Sequence, residues 1–166
     1  MSFIVEVDIS TEFVAECSAE FAYEVLSDVP FSASHFPKLD KLTDLGDGKF
    51  RWEMEKIGVQ RYSIQTVYAS KFVGDPEKLT VKWTPVKGEG NSLVSGKWTL
   101  KEKNGTTLIK LTTKGEMELP LPSLVKFVVA PIVKAEFEGM IEKYVERLTK
   151  TLNSGKKPKA KAAKKK

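Results

Sequence analysis

Apolar and polar side chains alternate along the first part of the chain. From Val5 to Ala15 the odd positions are mostly apolar, and the even positions carry Glu6, Asp8 and Glu12. A period of two is typical of a strand with one buried face and one face in water. We therefore predict a long first strand, over about residues 3–17.

A short helical segment is predicted directly after this strand. Ser18 is a suitable N-cap, Glu20 is favourably placed in the first turn, and apolar residues recur at helical spacing as far as Leu26. Pro30 ends the segment, because proline disfavours the helical conformation in the residue before it. The pattern allows one more short helix over residues 31–36.

Alternating segments then follow one another between Leu39 and Met117, separated by short turns. Turn residues occur around Gly46 and Gly74, and Asn104-Gly105 is the strongest hairpin signal of the chain. Consecutive strands joined by short turns indicate an antiparallel meander of about six strands.

The last element is predicted to be a long amphipathic helix. Apolar residues recur at helical spacing from Leu124 to Leu152, which indicates a helix of roughly 25 to 28 residues. Ser123 is a candidate cap, and Pro131 should kink the helix or split off its first turns. Asn and Gly near Gly155 suit a helix end.

This order of elements predicts an α+β fold. Each one-sided strand needs a cover for its apolar face, and only one long helix is available. The economical solution is a curved antiparallel sheet of about seven strands wrapped around the C-terminal helix, with one or two short helices after the first strand. We predict one domain over residues 1–153 and a disordered Lys-rich tail over residues 154–166.

Two segments carry a resemblance to a known superfamily. The segment from Cys17 to Asp28, followed by His35-Phe36-Pro37, resembles the opening helix of the START-related, polyketide-cyclase-like (SRPBCC) superfamily. The strand Gly96–Leu100 and the turn Asn104–Thr107 resemble the late hairpin of that superfamily. The resemblance covers about residues 3–152, and it implies a helix-grip fold with a cavity between the concave sheet face and the long helix.

The resemblance implies that inward-facing residues line this cavity. The lining that we predict is Trp52, Met54, Tyr62, Ile64, Tyr68, Val81, Trp83, Val94, Trp98, Phe127, Pro131 and Met140. Each of them could equally be a core residue, since inward aromatic side chains usually pack. However, the polar tips of tryptophan and tyrosine need partners when buried, which favours a wet or liganded cavity. Gly96 leaves a gap on this face, either for a ligand or for a neighbouring side chain.

The positive charge is concentrated at the end of the chain. The formal net charge is +5. Residues 153–166 contain no acid and seven lysines, namely Lys156, Lys157, Lys159, Lys161, Lys164, Lys165 and Lys166, so subtracting these seven charges from +5 leaves −2. We predict a weak, nonspecific contact of this tail with nucleic acid or an anionic membrane, although it could serve only solubility. Such a lysine run cannot specify a base sequence.

Residues suited to catalysis or metal binding are scarce. The sequence has one histidine, His35, one cysteine, Cys17, and no nucleotide-binding glycine motif or nucleophile elbow. We therefore predict no metal and no cofactor, and Cys17 is expected to be a small core residue. The lack of a possible intrachain disulfide, of a basic secretory signal and of an apolar run of ~20 residues leads us to expect a cytoplasmic location.

Three functions are compatible with this sequence. The leading hypothesis is binding or transport of a hydrophobic small molecule or lipid, which predicts an apolar cavity of roughly a few hundred Å³. A cyclase- or dehydratase-type enzyme would need polar residues such as Tyr62, Tyr68 or His35 to converge in that cavity. The third is an accessory protein, resembling the branch of the superfamily associated with carbon monoxide dehydrogenase, that docks on a membrane, nucleic acid or a partner through the basic tail.

Overall fold

The elements follow one another in the order that the hydrophobic pattern predicts. The computed structural model describes residues 2–59 and 61–157 and the backbone of residues 164–165. The strands are β1 (Phe3–Ala15), β2 (Leu39–Gly46), β3 (Lys49–Met54), β4 (Ile57–Val59), β5 (Tyr62–Ile64), β6 (Val67–Asp75), β7 (Thr80–Pro85), β8 (Ser92–Lys103), β9 (Thr106–Leu119) and β10 (Lys164–Lys165). The helices are α1 (Ala19–Ser27), α2 (Val29–Ala33), a 3-10 turn (Ser123–Val125) and α3 (Lys126–Ser154).

Seven strands form one antiparallel sheet in the order β1-β9-β8-β7-β6-β3-β2, and the backbone of β10 adds to β2 in parallel. β1 and β9 pair along their whole length, from Phe3 opposite Leu119 to Ala15 opposite Thr107. The predicted α+β helix-grip architecture is confirmed, with α3 packed against the sheet. The predicted disordered tail lies largely outside the described residues, and α3 itself runs one residue past the predicted domain boundary, to Ser154.

One predicted strand is divided in two. The alternating residues from Tyr62 to Tyr68 form β5 and β6, and β5 pairs with β4 in a separate two-stranded hairpin. At the break, the side chain of Asn91 makes hydrogen bonds to the strand backbone of the kind that a neighbouring strand makes elsewhere. Its amide donates to the backbone oxygen of Gln65 at 2.8 Å, and its Oδ1 accepts from the backbone N–H of Val67 at 3.0 Å.

The two short helices begin at side-chain caps. Ser18 Oγ accepts from the backbone N–H of Phe21 at 3.1 Å, as the sequence predicts for α1. Asp28 then caps α2 by accepting from Phe31 N–H at 3.2 Å. Pro30 lies in the first turn of α2, where the missing N–H leaves no hydrogen bond broken.

α3 is one continuous helix of 29 residues with Pro131 inside it. The alternative in which Pro131 splits off the first turns is therefore wrong, as is the expectation of a cap at Ser123, which makes no side-chain capping bond. The helix ends at Gly155, whose φ of 67° is the left-handed conformation that favours glycine. None of the described helices is long and apolar enough to cross a bilayer.

The buried side chains form three clusters around the concave face of the sheet. The first joins the sheet and α1 to the C-terminal half of α3, through residues such as Leu26, Ile109 and Leu148. The second joins the β4–β5 hairpin and the ends of β1 and β9 to the N-terminal half of α3, where Val129 and Val133 are buried. The third lies between α2 and the strands β3 and β6. The candidate site lies where these clusters meet.

Candidate functional site

A cavity of about 100 Å³ lies between the concave face of the sheet and α3. Its volume is smaller than the few hundred Å³ that the sequence led us to expect, because aromatic side chains extend into it. The wall is formed by Val5, Val7, Ile9, Leu26, Val29, Ser32, Phe36, Trp52, Thr66, Tyr68, Phe72, Trp83, Ser92, Val94, Trp98, Leu111, Thr113, Gly115, Glu116, Met117, Phe137, Ile141 and Tyr144.

A continuous row of aromatic rings covers one side of this wall. Trp52 stacks on Tyr68 with ring centroids 5.7 Å apart and an interplanar angle of 10°. Phe72 stacks on Trp83 at 5.5 Å, and Trp98 follows at 6.3 Å from Trp83. All three tryptophans of the chain therefore lie on the wall. Such a surface is large, rigid and mainly apolar.

Two buried hydroxyl groups meet at the wall. Ser32 Oγ lies 2.5 Å from Tyr144 Oη, and both residues are buried. Burial raises the pKa of the Tyr144 hydroxyl, and its hydrogen bond with Ser32 only partly offsets this effect. The phenol is therefore neutral, and one hydroxyl donates to the other. The accepting hydroxyl keeps a hydrogen that it can donate to a ligand.

A further donor on the wall has no partner among the described residues. The indole Nε1 of Trp52 is buried and makes no hydrogen bond. Two other polar groups of the lining do have partners: Thr66 donates to Met117 Sδ at 3.7 Å, and Ser92 Oγ donates to Asn91 Oδ1 at 3.0 Å. A buried donor without an acceptor is costly.

Five of the twelve predicted lining residues lie on the wall, namely Trp52, Tyr68, Trp83, Val94 and Trp98. The structure places the other seven elsewhere. Phe127 is 77% exposed and Pro131 is also exposed. Tyr62 and Ile64 pack in the second core cluster with the β4–β5 hairpin, Val81 packs in the first cluster, and Met54 and Met140 are buried away from the cavity.

Two physical reasons account for four of these differences, those at Phe127, Pro131, Tyr62 and Ile64. The early part of α3 is apolar on more than one face, and the face that turns inward is that of Val129 and Val133 rather than that of Phe127 and Pro131. The break between β5 and β6 removes Tyr62 and its neighbours from the main sheet.

Sequence reasoning missed several wall residues that a periodic signal could have indicated. Phe72 continues the parity of Tyr68 along β6, and Phe137, Ile141 and Tyr144 recur along α3 at helical spacing. Ser32 gave no such signal, because its position depends on how α2 packs against α3. The gap that Gly96 leaves was predicted to hold either a ligand or a neighbouring side chain. In the structure the ring of Trp83 occupies it.

The residues proposed for catalysis do not converge at the cavity. His35 lies off the wall, with Nε2 2.7 Å from Thr151 Oγ1 and Nδ1 3.0 Å from the Phe31 carbonyl oxygen. Tyr62 packs in the second core cluster. Of Tyr62, Tyr68 and His35, only Tyr68 therefore lines the cavity. Cys17 is buried, and burial together with the nearby Glu102 raises the pKa of its thiol. Within the described residues, no group of three side chains is arranged to hold a metal ion.

The structure describes the side chains of two of the seven tail lysines. Lys156 is exposed. Lys157 Nζ lies 2.9 Å from an Asp28 carboxylate oxygen and 5.8 Å from the centre of the Phe31 ring. Lys157 therefore contacts the folded domain rather than extending into solvent. The predicted polyanion contact of the other five lysines lies outside the described side chains.

The Ser32–Tyr144 pair can be tested by a double-mutant cycle. We expect Tyr144→Phe to lower the free energy of unfolding by about 2 kcal/mol, because it leaves the buried Ser32 hydroxyl without its partner. Adding Ser32→Ala should restore about 1 kcal/mol of that loss, since both polar groups are then absent. Urea unfolding of the four proteins measures the coupling. Strictly additive losses would show that the two hydroxyls do not interact.

Comparison with known proteins gives matches by structure only. No family model matches the sequence, and no curated protein matches it. Among solved structures, a START superfamily protein from Mycobacterium smegmatis has a TM-score of 0.64 and 16% identity, and the match covers 89% of this chain and 97% of that one.

Two enzymes with solved structures have the same architecture. An aromatase/cyclase from a Streptomyces species has a TM-score of 0.58 and 15% identity, with 90% of this chain and 92% of that one covered. Norcoclaurine synthase from Thalictrum flavum, a point mutant in complex with a transition-state analogue, has a TM-score of 0.60 and 19% identity, with 93% and 99% covered. At this level of identity the likeness concerns the fold. The chain thus has the same helix-grip fold as the START superfamily protein, the aromatase/cyclase and norcoclaurine synthase.

Proposed function

We propose that this protein binds a hydrophobic small molecule or lipid in the cavity between its sheet and α3. The observation that carries the proposal is the composition of the wall. It combines a row of stacked aromatic rings with a few buried polar groups. Mostly apolar walls with a small number of placed polar groups are typical of ligand sites.

The wall suggests how such a ligand would be held. Its apolar body would lie against Trp52, Phe72 and Trp83, where rings offer flat contact surface. A single oxygen on the ligand could accept from Trp52 Nε1 or from the free hydrogen of the Ser32–Tyr144 pair. A ligand with one polar end therefore fits this site better than a pure hydrocarbon.

The cavity must enlarge to admit a lipid. A volume of about 100 Å³ holds only a small molecule. Phe137 and Ile141 are partly buried residues of α3 on the wall, so their side chains can change rotamer without leaving the core. Rotamer changes of this kind are common on binding.

A cyclase- or dehydratase-type enzyme is the second candidate, and the Ser32–Tyr144 pair is the observation that favours it. Two neutral hydroxyls can orient a ligand carbonyl by hydrogen bonding. Proton transfer near neutral pH needs a group with a pKa in that range, whereas burial raises the pKa of both Tyr68 and Tyr144 above the usual value. The one carboxylate of the lining, Glu116, is exposed. Binding without turnover therefore has the better support.

The chain offers a direct test, because all three tryptophans lie on the wall. Titration with anilinonaphthalene sulfonate, a dye with an apolar aromatic body and one charged end, should quench tryptophan emission saturably, through energy transfer to a bound dye. In Gly115→Leu a larger side chain enters the cavity, and we expect dye affinity to fall by roughly ten-fold or more.

Gly115→Ala is the matched control, since its added Cβ would lie 3.7 Å from the nearest atom, Val94 Cγ2. Its dye affinity should stay within about three-fold of wild type. Equal affinity of wild type and Gly115→Leu would place the dye outside the cavity and count against the proposal.

A further inference from the structure

A second surface, separate from the cavity, is formed by exposed apolar residues of the 3-10 turn and the first turns of α3. Leu124, Phe127, Val128 and Ile132 are 83%, 77%, 38% and 42% exposed. Their spacing of three to four residues places them on one side of the helical segment, and we call this set the α3 stripe. The exposed Pro131 lies beside it.

The orientation of the helix is fixed by its opposite side. Val129 and Val133 are 1% and 0% exposed and pack in the second core cluster with Val5 and Val59. The α3 stripe therefore cannot turn inward without removing these residues from the core. Contiguous exposed apolar surface on a folded domain marks an interaction site more often than isolated apolar residues do.

Within the segment that carries the α3 stripe the charged residues are positive, and the exposed acids Glu118 and Glu138 lie just outside it. Residues 119–135 contain Lys126 and Lys134 and no aspartate or glutamate. Both lysines are exposed. The next acid along the helix, Glu136, is paired with Lys38.

The neighbouring β4–β5 hairpin adds to this charge. It packs in the same core cluster, and it is flanked by the exposed Lys56 and contains the exposed Arg61, against one exposed acid, Glu55. Apolar side chains on a ridge with cations at its flanks match the surface of an anionic bilayer, where acyl chains lie below negative headgroups.

We propose that the α3 stripe docks this protein on the surface of an anionic lipid bilayer. Leu124 and Phe127 would enter the headgroup region, and Lys126 and Lys134 would contact lipid phosphates. A second copy of the chain is a poorer occupant, because symmetric pairing of two stripes would bring the same lysines of both copies together. The proposal goes beyond binding in the cavity and does not depend on it.

Vesicle flotation of the full chain tests this proposal. Wild type should bind vesicles made of equal parts phosphatidylcholine and phosphatidylglycerol, and bind pure phosphatidylcholine vesicles more weakly. Leu124→Ser/Phe127→Ser should lower the partition coefficient at least ~10-fold, since it removes the inserted apolar area. Lys126→Ala/Lys134→Ala should lower it roughly ten-fold or more at low salt and remove most of its salt dependence.

The control variant is Val14→Ser/Val73→Ser, which removes two apolar side chains that are each 57% exposed on the sheet. It should bind vesicles as wild type does. Because all these side chains are exposed, the variants should keep their circular dichroism spectrum and unfolding midpoint.

Three results would overturn the proposal. The first is failure of wild type to bind either vesicle. The second is unchanged binding by the stripe variant together with lost binding when Lys159, Lys161, Lys164, Lys165 and Lys166 are all replaced by glutamine, which would assign the contact to the tail. The third is a wild-type dimer that Leu124→Ser/Phe127→Ser converts to a monomer, which would show that the α3 stripe binds a second copy.

Discussion

Gly96→Ala is expected to lower the free energy of unfolding by about 3 kcal/mol. A Cβ at this position would lie 2.3 Å from Trp83 Cζ2 and 2.6 Å from the backbone oxygen of Thr112. Gly96 is paired with Trp83 on β7 and with Thr113 on β9, so its backbone cannot withdraw. The indole must move, and it is packed between Phe72 and Trp98.

Gly115→Ala is the matched control for this change. Gly115 lies on the neighbouring strand β9 and lines the cavity, and an added Cβ there would meet nothing closer than 3.7 Å. We expect its effect on unfolding to stay within about 1 kcal/mol. Urea unfolding followed by circular dichroism gives both values. Similar losses for the two variants would mean that close packing of Trp83 on Gly96 is not the cause.

Leu148→Ala is expected to lower the free energy of unfolding by about 3 kcal/mol as well. Leu148 is 0% exposed and belongs to the core cluster that joins α3 to the sheet and α1. Truncation removes apolar burial and leaves a cavity that the surrounding strands cannot close. This cavity would adjoin the candidate site, since Tyr144 lies one turn earlier on α3.

Leu124→Ala makes the corresponding change at an exposed position, in the 3-10 turn that leads into α3. Leu124 is 83% exposed, so the expected change is within about 0.5 kcal/mol. Thermal and urea unfolding compare the two substitutions directly. A large loss for Leu124→Ala would show that the α3 stripe is covered in the folded protein.

The fold was predictable because the elements with the clearest periods also carry the architecture. The alternation from Val5 to Ala15 and the Asn104-Gly105 turn specify β1 and the β8–β9 hairpin, and the helical spacing up to Leu152 specifies α3. In these segments the local hydrophobic pattern and the long-range packing favour the same secondary structure, so the sequence alone is sufficient to predict these elements.

The cavity was only partly predictable. Strand parity has only two outcomes, and Trp52, Tyr68 and Trp83 lie on the wall that parity indicated. Side chains of a helix point in many directions around its axis, and residues 124–133 are apolar in most of these directions. Periodicity could not show that Val129 would turn inward and Phe127 outward.

Other features depend on contacts between residues far apart in the chain. At the break between β5 and β6 the backbone bonds to the side chain of Asn91, which lies more than twenty positions away. The hydroxyl pair of Ser32 and Tyr144 joins residues separated by 112 positions. The volume of the cavity depends on how the aromatic rings stack, which no local pattern encodes.

Native mass spectrometry of the purified protein, incubated with fatty acids, isoprenoid quinones and flat polycyclic aromatics, tests the central claim of cavity binding most directly. We expect a one-to-one adduct with at least one of these classes in wild type and in Gly115→Ala, and its loss in Gly115→Leu, whose side chain fills the cavity. The polypeptide mass alone in every sample, or adducts that persist equally in Gly115→Leu, would contradict the account.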